Sequence, residues 1–239
     1  MPQIFIDTNV YLDFYQSSKD RLAVFGELQQ NIESIVFVQQ SLKEFLRNRT
    51  ERLSKLSKDV SNSLTSGIYT TAIITEMKEF KQIAELQRQI KVLGKSICNE
   101  LDQWRDNMAM DPVLQAYHDL VMPAKNYFGA SPEAFEKAKT RKLLGYPPTS
   151  PDKHTIGDEL IWETLLACCQ QDLIIVSRDK TFTNNFSVLQ MEFNRPDRKL
   201  ILITSSLSEA LNKIGKNSKI VAQAESQMQN DILQNAQED

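Results

Sequence analysis

The chain has 239 residues, 41% of them hydrophobic, enough for one large domain, or a domain with a sizeable insertion, around a buried core. With only 7 glycines and 8 prolines, a turn-rich all-β fold and a disordered chain are both disfavoured. A net charge of −3 excludes a generally basic nucleic-acid binder, although residues 45–145 hold 16 Lys and Arg against 12 Asp and Glu, and the remainder holds 12 against 19.

The first strand is predicted at Gln3–Ile6, followed by a helix from Leu12 to Gln30 with an apolar face of Leu12, Tyr15, Leu22, Phe25 and Leu28. Ser34–Val38 is a second strand, apolar and β-branched, as suits a parallel strand covered on both faces. A helix starts at Gln39 and runs to about Leu64. Residues 45–145 read as all-helical. Apolar residues at helical spacing from Ile68 to Trp104 suggest a hairpin or projecting arm, interrupted at Gly94. Asp111-Pro112 and Ser131-Pro132 each start a further helix. Leu144–Pro151, with three prolines, is a loop. It leads to a helix that starts near Asp158 and runs through Gln170. Leu173–Ser177 and Lys199–Thr204 are the third and fourth strands, joined by a loop. Ser206–Ile214 and about Ser218–Asn235 are C-terminal helices.

This alternation predicts an α/β three-layer sandwich with a mostly parallel sheet of four or five strands. Residues 1–50 and 141–215 would form the sheet domain, 51–140 a helical insertion, and 216–239 a helical or frayed tail. Cys98, Cys168 and Cys169 fit no disulfide framework, and Cys168 and Cys169, inside an apolar helical stretch, are expected in the core. His118 and His154 lack the spacing of a zinc site. No apolar run approaches the ~20 residues of a membrane span, and the chain opens on a strand rather than a leader, so a cytoplasmic setting is the expectation.

The acids carry the chemistry. Ile4-Phe5-Ile6 runs straight into Asp7, with Thr8 and Asn9 behind it. Ile174-Ile175-Val176-Ser177-Arg178 leads to Asp179 in the same way. Either acid alone could be a solvated turn residue or helix cap. Ligand sites in open α/β sheets, however, lie at the carboxyl ends of strands, and two such units suggest one shared site. Two carboxylates about 5 Å apart repel by roughly 3 kcal/mol at an effective dielectric near 20. A hard divalent cation is the usual counter-charge. Glu44 falls in an early turn after the second strand, where a polar helix face would also explain it. Asp158 falls at a helix N-terminus, where the macrodipole favours a negative charge. Glu159 is a further candidate ligand, and Glu163 a more distant or solvated acid. Thr8, Asn9 and Ser177 fit two readings equally: orienting carboxylates or a metal-bound water, or ordinary turn chemistry at a strand end.

Asp7-Thr8-Asn9, then Glu44, then Gly157-Asp158, then Ser177-Arg178-Asp179: this ordered set resembles the PIN-domain superfamily of metal-dependent nucleases, over about residues 1–50 and 141–205. Gly145-Tyr146-Pro147-Pro148 followed by Ile156–Glu163 is similar to a large PIN-like subgroup in which a helical block separates the second and third acids. The resemblance implies that Asp7, Glu44, Asp158 and Asp179 are the catalytic acids, that they hold Mg²⁺ or Mn²⁺, and that Asn9 and Ser177 support them. It implies phosphodiester cleavage, of RNA in preference to DNA, by a toxin or defence nuclease. An inhibitory partner protein and a homo-oligomer are compatible with it. Arg47, Arg49, Arg52, Arg141, Lys142, Arg178 and Lys180 are the expected phosphate contacts, each competing with a plain solvated face. Two rivals stand beside this reading. A haloacid-dehalogenase-type phosphatase also opens on a strand ending in Asp, but carries a second acid where this chain has Asn9. The other rival is a PIN-like scaffold that has lost catalysis.

Overall fold

The computed structural model describes residues 1–16, 22–64, 70–150 and 152–235, with side chains to residue 227. β1 (Gln3–Ile6), β2 (Ile35–Val38) and β4 (Leu173–Val176) are buried at every position. Such apolar runs need cover on both faces. They pair in parallel with β3 (Tyr127–Phe128) and β5 (Leu200–Thr204) in the order β3-β2-β1-β4-β5. Successive side chains of a strand point to opposite faces. Phe5, Val36, Val38, Leu173 and Ile175 therefore share one face, where they join Ile161, Trp162 and Leu165 of α8 (Gly157–Cys168) and Leu189 and Phe193 of α10 (Phe186–Phe193) in a single core. The alternate residues Ile4, Ile6, Ile35, Phe37, Ile174 and Val176 are equally buried on the other face.

The remaining helices are α1 (Thr8–Leu12), α2 (Leu22–Gln30), α3 (Gln39–Ser63), α4 (Ala72–Glu76), α5 (Lys78–Asp106), α6 (Pro112–Val121), α7 (Pro132–Leu144), α9 (Lys180–Thr183), α11 (Leu207–Lys213) and α12 (Lys219–Asn235). The three-layer α/β architecture expected from the sequence is present, with five parallel strands. α7 packs on α8, and α11 against β4, β5 and α12.

Several elements depart from expectation. The helix predicted over Leu12–Gln30 is instead α1, a 3-10 turn at Asp13–Gln16, and α2; its residues 17–21 lie outside the described residues. The predicted all-helical block contains β3, whose backbone is claimed by β2: Phe37 pairs with Tyr127 and Val38 with Phe128. The expected loop between the third and fourth strands holds α9 and α10, because Phe182, Leu189 and Phe193 supply buried contacts to the core. Gly94 does not break α5. Its missing side chain makes room for Leu64, whose Cδ1 would stand 2.2 Å from an added Cβ. Ile68, where the long helical run was expected to begin, Pro151 and residues 236–239 lie outside the described residues.

The chain folds as two compact units, Met1–Asn48 with Ala116 onward, and Arg49–Gln115. In the second unit, Arg49 is 1% exposed and donates to Asp111 at 2.9 Å and to the backbone carbonyls of Trp104 and Arg105 at 2.5 and 3.4 Å. Asp111 also accepts from the N–H groups of Val113 and Leu114, capping α6. Arg49 is thus an internal strut rather than the phosphate contact expected of it.

Candidate active site

The sheet register brings the Asp7 and Asp179 segments together. β1 and β4 pair as Ile6 opposite Val176, so the next residues, Asp7 and Ser177, are neighbours. The chain turns from the β2 side of β1 to the β4 side between these same strands, and crevices at such switch points collect ligands. Ser177 Oγ donates to Asp7 Oδ2 at 2.5 Å, Asn9 Nδ2 to the same oxygen at 2.8 Å, and the Thr8 N–H to Asp7 Oδ1 at 2.7 Å. The Ser177 hydroxyl in turn accepts from the Asp179 N–H at 3.0 Å. Thr8 turns its hydroxyl to the Ser41 carbonyl, so its backbone alone serves Asp7.

Glu44 enters from the second turn of α3, buried and held by Gln40 Nε2 at 3.0 Å. It lies against the start of α8, where a Cβ added to Gly157 would stand 1.8 Å from Glu44 Oε1. Only glycine at this position lets the helix N-terminus approach that carboxylate. Gly157→Ala is expected to displace Glu44 and lower activity by about 10–100-fold, the range seen when the support of a site residue is lost. The melting temperature should move little, because the clash falls on the far end of a flexible side chain. Melting curves, set beside rates of the cleavage that the PIN-domain resemblance implies, check this. Equal losses in both would mean that the strain lies in the fold instead.

Asp158 occupies the first turn of α8, and Asp179 caps α9 through the Thr181 N–H at 2.8 Å. Between them lies Lys153, whose Nζ donates to Asp158 Oδ2 at 2.8 Å and to Asp179 Oδ2 at 2.7 Å. Sequence reasoning does not single out Lys153. Its only local signal is a cation five residues before Asp158, in a segment that otherwise reads as loop.

The electrostatics are those of crowded acids. Burial, reinforced by the charges of Asp158 and Glu44, pushes the Asp7 carboxyl up to about 7 against the hydrogen bonds from Ser177 and Thr8. Burial also raises Glu44, with Asp158 adding to the effect and Gln40 opposing it. Asp158 is raised by burial, against the pull of Lys153. Asp179 resists burial and is held below the usual carboxylate range by Lys153 and Thr181. Lys153 is raised despite desolvation, because it faces two carboxylates.

Other candidates fall outside this cluster. Glu159 is buried and neutralised by Thr149 Oγ1 at 2.6 Å and Lys142 Nζ at 3.3 Å. Glu163 is paired with Arg141 at 2.5 Å. Arg141 is itself 7% exposed and also reaches Glu192 and the Pro147 carbonyl, so it cannot meet a substrate phosphate as expected. Lys142 is committed to Glu159 and the Ser150 carbonyl. Arg178 is paired with Asp13. Arg52 belongs to the second unit, while Arg47 and Lys180 are exposed.

Every oxygen in the cluster belongs to a carboxylate, amide or hydroxyl, the donor set of a hard divalent cation. As arranged, no three His, Cys, Asp or Glu side chains among the described residues stand close enough to hold an ion. The Lys153 ammonium takes the counter-charge role at Asp158 and Asp179. The residues therefore fit such a cation in kind, and the lysine must yield for it to enter.

A parallel α/β sandwich with carboxylates gathered at the C-terminal ends of its central strands is the architecture of a PIN-like protein. A family profile described as the PIN domain matches residues 4–182, about three-quarters of the chain, and the chain belongs to that family. PIN domains form a nuclease superfamily whose members typically use divalent metals. No curated protein and no solved structure matches the chain significantly. No helix among the described residues is long and apolar enough to cross a membrane.

Proposed function

We propose that the chain is a metal-dependent nuclease that hydrolyses phosphodiester bonds of RNA. What supports this reading is that Asp7, Glu44, Asp158 and Asp179, from four separate segments, lie near enough for their charges to act on one another, with burial and that repulsion raising three of the four carboxyls. Asp7, Asp158 and Asp179, with Glu44, would hold Mg²⁺ or Mn²⁺. Bound there, such an ion supplies counter-charge for the in-line displacement at phosphorus and lowers the pKa of water. Ser177 and Asn9 fix the direction of the Asp7 oxygens. Glu44 either completes the ligand set or takes the proton of the attacking water. Arg47 and Lys180 are exposed and would meet the substrate backbone.

The preference for RNA, the toxin or defence role, the restraining partner and the cytoplasmic setting follow from family likeness alone. The phosphatase rival is disfavoured by Asn9, which stands where that family carries its second acid. The scaffold rival is disfavoured by the presence of all four acids.

The test is incubation of the chain with end-labelled single-stranded RNA and matched DNA in Mn²⁺, Mg²⁺ or EDTA. RNA cleavage that needs metal is the expected result. Hydrolysis of a phosphomonoester with RNA left intact would point to a phosphatase. Absence of both cleavage and calorimetric Mn²⁺ binding would leave a scaffold.

Lys153 gives a further check. Lys153→Met should bind Mn²⁺ more tightly than wild type by calorimetry, since no tethered ammonium then competes for Asp158 and Asp179. Because Lys153 is half-exposed, loss of its ion pairs should cost the metal-free protein no more than about 1 kcal/mol. Weaker Mn²⁺ binding would show that the lysine supports the site instead of occupying it.

A further inference from the structure

One helix carries a face that nothing among the described residues covers. Along α5, Ile83, Leu86, Ile90, Leu93 and Ile97 are spaced three and four residues apart in alternation, and each is between 39% and 65% exposed. They form a continuous stripe, because residues three and four apart are neighbours on a helix surface.

A neighbouring face of α5 is already used. Arg49 reaches the Trp104 carbonyl, Cys98 Sγ donates to the Ser57 carbonyl, and Leu64 fills the space at Gly94. α3 thus follows α5 as far as Gly94 and ends at Ser63. The stripe lies beside that seam, and most of it lies beyond where α3 stops. Five large apolar side chains in water are costly, and a strict three-four repeat is more than a hydrophobic helix face needs. It is the repeat of a two-stranded coil, with Ile at every first position and Leu at every fourth, the choice that favours parallel dimers.

We propose that α5 pairs in parallel with α5 of a second copy of this chain through Ile83, Leu86, Ile90, Leu93 and Ile97. The flanking positions favour an identical partner over a different one. Gln87, Gln89, Gly94 and Ser96 border the stripe and are all uncharged. Flanking charges in coiled coils select a partner of opposite sign and oppose self-pairing when alike. Here there is neither repulsion between copies nor a charge pattern that would recruit a foreign helix. A stripe that meets its own image about a two-fold axis is self-complementary. The contact runs along about 22 Å of helix, from the rise of 1.5 Å per residue. That length places the dimer at the small end of stable interfaces, so its population should depend on concentration.

The experiment is sedimentation equilibrium of the full chain from about 1 to 200 µM, metal-free, with wild type, Ile90→Asp and Leu93→Asp compared. Both substituted residues are exposed, so the variants should fold, as circular dichroism and melting curves can verify. The expected result is a wild-type mass rising with concentration from 27.4 kDa toward twice that value, while both variants remain monomeric. Ile83→Cys tests the direction. In the parallel pair it faces its own copy and should form a disulfide dimer under mild oxidation, beyond the background of wild type treated alike. A wild type that stays monomeric throughout overturns the proposal and leaves the stripe to the rest of the chain or to another partner. Dimers that survive Ile90→Asp place the interface elsewhere and overturn it too. Dimers without the Ile83→Cys cross-link overturn the parallel arrangement. None of these residues belongs to the acidic cluster, so the outcome is independent of whether the chain cuts RNA.

Discussion

Asp7→Asn should lower metal-dependent RNA cleavage by about 10³–10⁴-fold, the scale on which one member of a cooperative catalytic set acts. The substitution keeps the shape of the side chain. The Ser177 hydroxyl and the Asn9 amide can both reorient to accept from the new amide, at the cost of the long Arg178 N–H contact to Asn9 Oδ1. What goes is the negative charge at the switch point of the sheet. Mn²⁺ binding measured by calorimetry should weaken in parallel. A variant that loses cleavage but binds Mn²⁺ as tightly as wild type would remove Asp7 from the ligand set and leave it a role in positioning.

The same substitution should make the metal-free protein more stable at alkaline pH. The Asp7 carboxyl titrates at about 7 in the fold, against about 3.9 for an unfolded chain. Between these values the folded state holds a proton that the unfolded state has released, so stability falls as pH rises from about 4 to 7 and is level above that. The loss is on the order of 4 kcal/mol. Glu44 and Asp158 are raised and act with the same sign. Asp179 is lowered and acts with the opposite sign, its contribution being lost as pH falls. In EDTA, the denaturation midpoint of wild type should therefore drop between about pH 4 and 7, and Asp7→Asn should flatten that slope. Identical slopes for the two proteins would mean that Asp7 is ionised and solvated at neutral pH, which is incompatible with a crowded pocket.

The sequence reveals the acids because their cause is local. A buried parallel strand that ends on a carboxylate is visible in six residues, and the register of Ile6 with Val176 does the rest. Lys153 is invisible for the opposite reason. Its partners, Asp158 and Asp179, meet only when α8 and the end of β4 are in place. β3 is two residues long, too short to show any period, and exists because β2 offers it an edge. α10 lies between Thr181–Asn185, rich in Thr and Asn, and Asn194-Arg195-Pro196-Asp197, both of which read as loop, while its pattern of Phe186, Leu189 and Phe193 has meaning only beside the sheet. The basic residues were the least legible. A positive charge on a helix looks the same in sequence whether it meets water, a phosphate or a buried acid. Arg141 finds Glu163 across 22 positions, and Arg49 finds Asp111 across 62.

Arg49 allows those alternatives to be separated by measurement. Arg49→Met removes one partner of an ion pair in which Arg49 and Asp111 are 1% and 0% exposed, so the buried Asp111 carboxylate loses the Arg49 charge. Breaking such a buried pair costs about 3–5 kcal/mol. Two carbonyls, of Trp104 and Arg105, lose their donor as well. Asp111→Asn should cost less, because the amide oxygen can still accept from Val113 and Leu114 and keep the cap of α6. The double variant should be more stable than the sum of the two losses predicts, since both substitutions remove the same contact. Urea denaturation of the four proteins gives this coupling directly. If Arg49 instead contacted substrate phosphate, Arg49→Met would leave stability unchanged and reduce the salt dependence of RNA binding by about 0.7 in log–log slope. The buried geometry predicts the reverse: a large loss of stability, with the salt dependence unaltered in whatever fraction remains folded.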